Sequence, residues 1–262
     1  MTRKRILNIT STKKQDNRLQ TDFSAGQLRP TNQYVVGNGT PFSAIYCPTA
    51  MTPLSPTTVP PPNYPENSSY RERSTIFLRG YKETIRITPE DGACWLWRRI
   101  VFFSKEVLSE NPAVDGMYHE AAPLGYTRPF VAATTLTANT LQSVVFKGQL
   151  GRDWFSLGVA KVDTTRVTLV SDVTRTLKGG NEQAHTHNNK LWYGVNKNLV
   201  YYDDESGIDI ESSHFSTSAK PGCGNMYVWD ILATPGLAPG PDNQPTARAA
   251  VTLHGTLYWH EK

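Results

Sequence analysis

His185 and His187 stand one residue apart, and on an extended chain that spacing turns both imidazoles to the same side. With Glu182 just upstream and Tyr193 downstream, the pair could share a divalent metal ion. Rolling-circle nucleases combine a related His–apolar–His pair with a separate tyrosine nucleophile. Here Thr186 fills the middle position, where a bulky apolar residue would anchor the strand in a core, and Asn188-Asn189 follow. The expectation is a solvated loop with no bound metal. Asp203-Asp204-Glu205, with Asp209 and Glu211 nearby, could hold a cation but is likewise expected to be a solvated loop. The chain contains no P-loop, GxSxG elbow, HExxH helix or GxGxxG fingerprint. No catalytic set and no cofactor are therefore expected, and the protein is not expected to be an enzyme.

The cations carry a clearer message. Residues 1–20 hold Arg3, Lys4, Arg5, Lys13, Lys14 and Arg18 against Asp16 alone, although the whole chain has a formal net charge of only +4. The entire positive excess thus sits at the N-terminus, on a near-neutral body. A basic arm of this kind neutralises phosphates and releases counterions, which makes nucleic acid the expected partner. A merely solvated, fraying terminus is the bland alternative. Arg98 and Arg99 are a second candidate pair: side by side in an apolar run, they must point to opposite faces of a strand. At least one should meet carboxylates, a partner or phosphate, and structural ion pairing and DNA contact are both open to them.

Cys47, Cys94 and Cys223 form neither a CxxC pair nor an even set, so no disulfide framework or tetrahedral zinc site follows. Reduced thiols and intracellular folding are expected. No apolar run reaches the ~18 residues of a membrane span.

The elements that would position these groups are mainly strands. Ala249, Val251, Leu253, Leu257 and Trp259 alternate with Thr252, His254, Thr256 and Tyr258. Val167, Leu169, Val173 and Leu177 share one parity before Gly179-Gly180, and Ile85 and Ile87 flank Arg86. A period of two marks half-buried strands. Cys94 to Phe103 is apolar on both parities apart from the two arginines, as in a central strand covered on both sides. Leu191 to Tyr202 reads as a strand pair broken by a turn at Asn196-Lys197-Asn198. Weaker strand candidates lie near 6–11, 42–47, 127–136 and 154–162, and helix is most plausible over Ala138 to Phe146. Residues 48–72, 104–125 and 203–224 are expected to be long loops that pack on neighbouring subunits.

The run from Lys4 to Asn17, KRILNITSTKKQDN, closely resembles the start of the ordered body in genomovirus capsid proteins, which are related to geminivirus coat proteins. Val173-Thr174-Arg175-Thr176-Leu177, the segment from Asn198 to Gly207 and the final Leu253 to Lys262 extend the resemblance along most of the chain. It implies an all-β fold, a single jelly-roll sandwich of two four-stranded antiparallel sheets over residues 21–262, preceded by the basic arm 1–20. It further implies a structural protein of the virion, assembled in the host cell nucleus. Sixty copies would close into an icosahedral T=1 shell around circular single-stranded DNA, with no membrane. The nucleic-acid contacts expected are Arg3, Lys4, Arg5, Lys13, Lys14, Arg18, Arg98 and Arg99. Family members usually begin with a longer arginine-rich tail, whereas here only Arg3 stands among the cations before the shared motif, which itself opens on Lys4 and Arg5. Six basic residues per copy fall well short of one charge per phosphate for a genome long enough to encode the chain, so either further cations or a longer basic extension is implied. Two rival readings follow from single features: a replication-type nuclease using His185 and His187, and a carbohydrate-binding sandwich that would employ the tryptophans.

Overall fold

A computed structural model of the chain describes residues 9–24, 27–37, 39–53, 69–90, 92–121, 125–179, 184–206, 209–236 and 247–262. The fold is all-β. The strands are β1 (Thr12–Ser24), β2 (Gln27–Pro30), β3 (Gln33–Gly37), β4 (Phe42–Tyr46), β5 (Thr75–Pro89), β6 (Cys94–Ser104), β7 (His119–Ala121), β8 (Gly125–Pro129), β9 (Thr168–Lys178), β10 (His187–Ser206), β11 (Asp209–Ser216), β12 (Asn225–Ala233) and β13 (Ala247–Glu261). A single long helix, α1 (Thr135–Val145), is described between β8 and β9.

Two sheets result. The larger has nine strands, in the order β11-β10-β5-β13-β1-β8-β7 with β2 beside β1 and β3 beside β13. The smaller runs β4-β12-β6-β9. The expectation of two four-stranded sheets therefore holds for the smaller one alone. The larger grows because the N-terminal segment is not a free arm: Thr12 to Leu19 pair antiparallel with Glu261 to His254 of β13. Residues 12–20, counted with the basic arm in the sequence, thus lie in the larger sheet.

Periodicity explains which faces are dry. In β5 and β13, Leu78, Tyr81, Ile85, Ile87, Val251, Leu253, Leu257 and Trp259 point inward and meet Trp95, Trp97, Val101 and Phe103 of β6. The other parity of β6, Ile100 and Phe102, faces Leu141 and Val145 of α1. The smaller sheet is thus covered twice, by the larger sheet and by the α1 layer. This is why the Cys94–Phe103 run and all of β12 carry apolar residues on both parities. Thr134 caps α1, its hydroxyl accepting from the Thr137 amide at 3.4 Å.

Several local expectations change. Asn196-Lys197-Asn198 does not turn the chain: β10 continues for twenty residues, with a bulge between Gly194 and Lys197 where Asn196 adopts φ 54°. Asn tolerates that conformation, so one signal serves turn and bulge alike. Residues 154–162 form turns rather than a strand, residues 9–10 are helical, and 203–224 contain the β10–β11 pairing instead of a pure loop.

Candidate nucleic-acid interface

Most of the described cations expected to touch phosphate are buried. Arg99 points between the sheets, where its Nε and Nη2 donate to Asp230 at 2.7 and 2.8 Å and its Nη1 pairs with Glu83. Arg128 completes the group, with Nε 2.9 Å from Glu83 and Nη2 3.3 Å from Asp230. Tyr81 donates to Glu83 at 2.7 Å and Trp97 to Asp230 at 2.8 Å. Burial alone would push the Glu83 carboxyl up, but Arg99 and Arg128 outweigh it and hold it at about 2. Two guanidinium groups and two carboxylates thus neutralise each other inside the core.

Arg98 takes the opposite parity and grips Asp172 with two bonds of 2.9 and 2.7 Å, adding the carbonyls of Leu157 and Ala160. In β1, Lys14 sits 3.0 Å from Glu72 and 3.1 Å from Glu261, and Arg18 lies 2.6 Å from Asp16. All four expected contacts, Lys14, Arg18, Arg98 and Arg99, are buried and matched to carboxylates, so in this conformation they offer phosphate no free face. Alternation is the cause: once residues 12–20 become a strand, every second cation turns inward. Arg3, Lys4 and Arg5 lie outside the described residues. Lys13 is exposed.

A different set of cations shares one surface. Across β10, β5, β13 and β1 the outward-facing residues line up in rows: Asn188, Arg86 and Thr252; Lys190, Thr84, His254 and Leu19; Trp192, Lys82, Thr256 and Asn17. Two further rows hold Gly194, Gly80, Tyr258 and Gln15, then Asn198, Phe77, His260 and Lys13. None of these rows contains a carboxylate. Lys13, Lys82, Arg86 and Lys190 are exposed, and Arg79 adds a fifth cation at the bulge, bonded to the Asn196 side chain. Burial, Arg79 and Lys13 push the His260 imidazole below its usual value, which registers the positive field of this face. Aromatic rings lie among the charges. Trp192 meets Tyr258 edge to face at 5.7 Å, and its ring covers Gly80, where a Cβ would come within 2.8 Å of it.

The signal for this face was present in the alternation of β5 itself: Ile85 and Ile87 inward require Arg86 outward. Lys82 follows from the same parity, whereas Lys190 needed the register between strands and Arg79 the bulge, which no single segment encodes.

The histidine pair is placed at the end of β10. The rings of His185 and His187 are 4.8 Å apart, and a ring nitrogen of His187 lies 3.1 Å from the Lys178 carbonyl. Tyr193 is buried. Glu182 lies outside the described residues. Asp203 pairs with Arg71 rather than standing in a free acidic loop. Among the described residues no group of three or more His, Cys, Asp or Glu is arranged to hold a metal ion. No protein-family model matches the chain, and none of the curated proteins compared with it does.

Proposed function

We propose that this chain is a coat-protein subunit, a jelly-roll sandwich enlarged by added strands, that assembles into a closed shell around a single-stranded DNA genome. The observation that carries the reading is the set of five rows on the outward face of the larger sheet, with exposed Lys13, Lys82, Arg86 and Lys190 and no carboxylate among them. A sheet face of that charge on a near-neutral body attracts a polyanion. It also supplies cations beyond those of residues 1–20, which the charge balance of a packaged genome demands. The sequence resemblance to genomovirus capsid proteins gives the partner its class: DNA within, copies of the same chain alongside, sixty to a shell, in the nucleus and then the virion.

Subunit contact has its own support. Around α1 and its connection to β9, Leu136, Leu150, Phe155 and Val159 are 54%, 58%, 86% and 74% exposed. Large apolar groups clustered on one connection suit burial against a neighbouring copy. Size-exclusion chromatography of the purified full chain tests assembly. Elution in the void volume is expected, and elution near 29.2 kDa over a range of salt and pH would contradict it.

A further inference from the structure

The two sheets are open along one side. Among the described residues β11 pairs with Tyr201 to Ser206 of β10, the Thr217 and Cys223 amides reach the Val200 and Asn198 carbonyls, and no strand pairs with the outer edge from His187 to Lys197. β9 is the last strand of the smaller sheet and, among the described residues, pairs with β6 alone. These two edges run past one another in opposite directions. Lys178 meets His187 at one end, and Thr168 lies beside Lys197 and Asn198 at the other. Ten residues of strand make the seam about 33 Å long.

Two clefts occupy it. One, of about 430 Å³, has Val170, Val173 and Arg175 on the β9 side, Lys190 and Trp192 on the β10 side and Arg99 at its floor. Its lining includes no carboxylate. Arg175 stands 5.2 Å over the Trp97 ring, Lys190 is exposed, and Trp192, 54% exposed, forms the lip of the cleft with its ring turned onto the outward face over Gly80 and Tyr258. The second cleft, of about 540 Å³, continues the same line with Lys105, Arg166 and Lys197 against Glu106 alone. Lys105 and Arg166 are held in place by backbone carbonyls, of Ala219 and Pro221 for the first and Ser143 for the second, and Arg166 also lies 3.7 Å from the Asp163 carboxylate.

We propose that the β9–β10 seam is a groove for one unpaired polynucleotide strand, with Arg175, Lys190 and Lys197 on phosphates and Trp192 stacking on a base. It deepens the coat-protein reading by locating the site that separates single strands from duplex. A cationic groove with an exposed aromatic platform is the arrangement that binds single strands without regard to sequence. A duplex keeps its bases paired and stacked inside a stiff rod, so none is free to stack on Trp192. DNA and RNA share the recognised chemistry of phosphate and unpaired base.

The test is fluorescence anisotropy of the full chain with thymidine and uridine oligomers of about twenty nucleotides, and with a duplex of that length. The intact protein should bind the oligomers at least about tenfold more tightly than the duplex. Equal binding of the two oligomers, or a preference for either, supports the groove, whose recognised groups both oligomers carry. Trp192→Ala should lose about tenfold for oligomers and little for duplex, while Trp192→Phe recovers most of the loss. Arg175→Gln with Lys190→Gln should lower the log–log salt slope by about 1.4, two phosphates at about 0.7 each. Equal affinity for duplex, an unaltered Trp192→Ala protein, or full competition by polyaspartate overturns the proposal. Particles are scored on the same preparations. Particles with oligomer binding indifferent to Trp192 would remove the groove and leave the coat reading. Trp192-dependent binding without particles would do the reverse.

Discussion

Glu83 sits between two guanidinium groups with no solvent contact, and among the described residues the other carboxylate those groups reach is Asp230. Glu83→Gln would leave Arg99 and Arg128 to share Asp230, an uncompensated buried charge. Such a break costs about 3–5 kcal/mol, and urea unfolding of the variant against the parent should show a midpoint lowered to match. Lys82→Gln, one residue away on the exposed parity, should change stability by less than ~0.5 kcal/mol. The acid limb follows from the same group. Because the folded carboxyl is held at about 2, below its ordinary 4.5, its contribution is full above pH 4.5 and is lost as pH falls toward 2. Glu83→Gln should flatten that part of the stability–pH curve. Parity made it legible that Arg98 and Arg99 face opposite ways. Which carboxylates they meet was not, because Glu83, Asp172 and Asp230 come from strands distant in sequence.

At the scale of the element, β13 ties the chain end into the larger sheet between β5 and β1, with Leu253 3% exposed and its amide donating to Gln20 at 2.7 Å. Leu253→Ala should cost ~2–5 kcal/mol through lost burial and a residual cavity, and soluble yield should fall. Thr252→Ser, on the outward face, keeps the hydroxyl that donates to Asn32 and should behave like the parent in the same thermal melt. Equal melting of all three would show that the strand is a loose tail. Strands with clean alternation, β5 and β13, and the doubly covered β6 were legible because burial imprints its period on composition. The break in β10 was misjudged because Asn-rich clusters permit both turns and bulges. The helix was found within three residues at its start and one at its end. β11 escaped notice because Asp209 to Ser216 is a polar edge strand with little to alternate.

For the whole molecule, Leu136, Leu150, Phe155 and Val159 gather exposed apolar surface around α1 and its connection to β9, whereas Lys13, Lys82, Arg86 and Lys190 stand on the outward face of the larger sheet with Leu19 and Trp192 among them. These two centres suit a subunit whose DNA contacts and copy contacts use different surfaces. Lys13→Gln, Lys82→Gln and Arg86→Gln together should therefore leave assembly intact while reducing the nucleic acid carried. The most direct measurement is electron microscopy of the purified full chain after nuclease treatment, with the protected nucleic acid extracted and digested by strand-specific enzymes. Closed shells of uniform size holding single-stranded DNA, with less of it in the triple variant, are the predicted result. Monomers with no protected nucleic acid, under conditions where the protein is folded, would contradict the account.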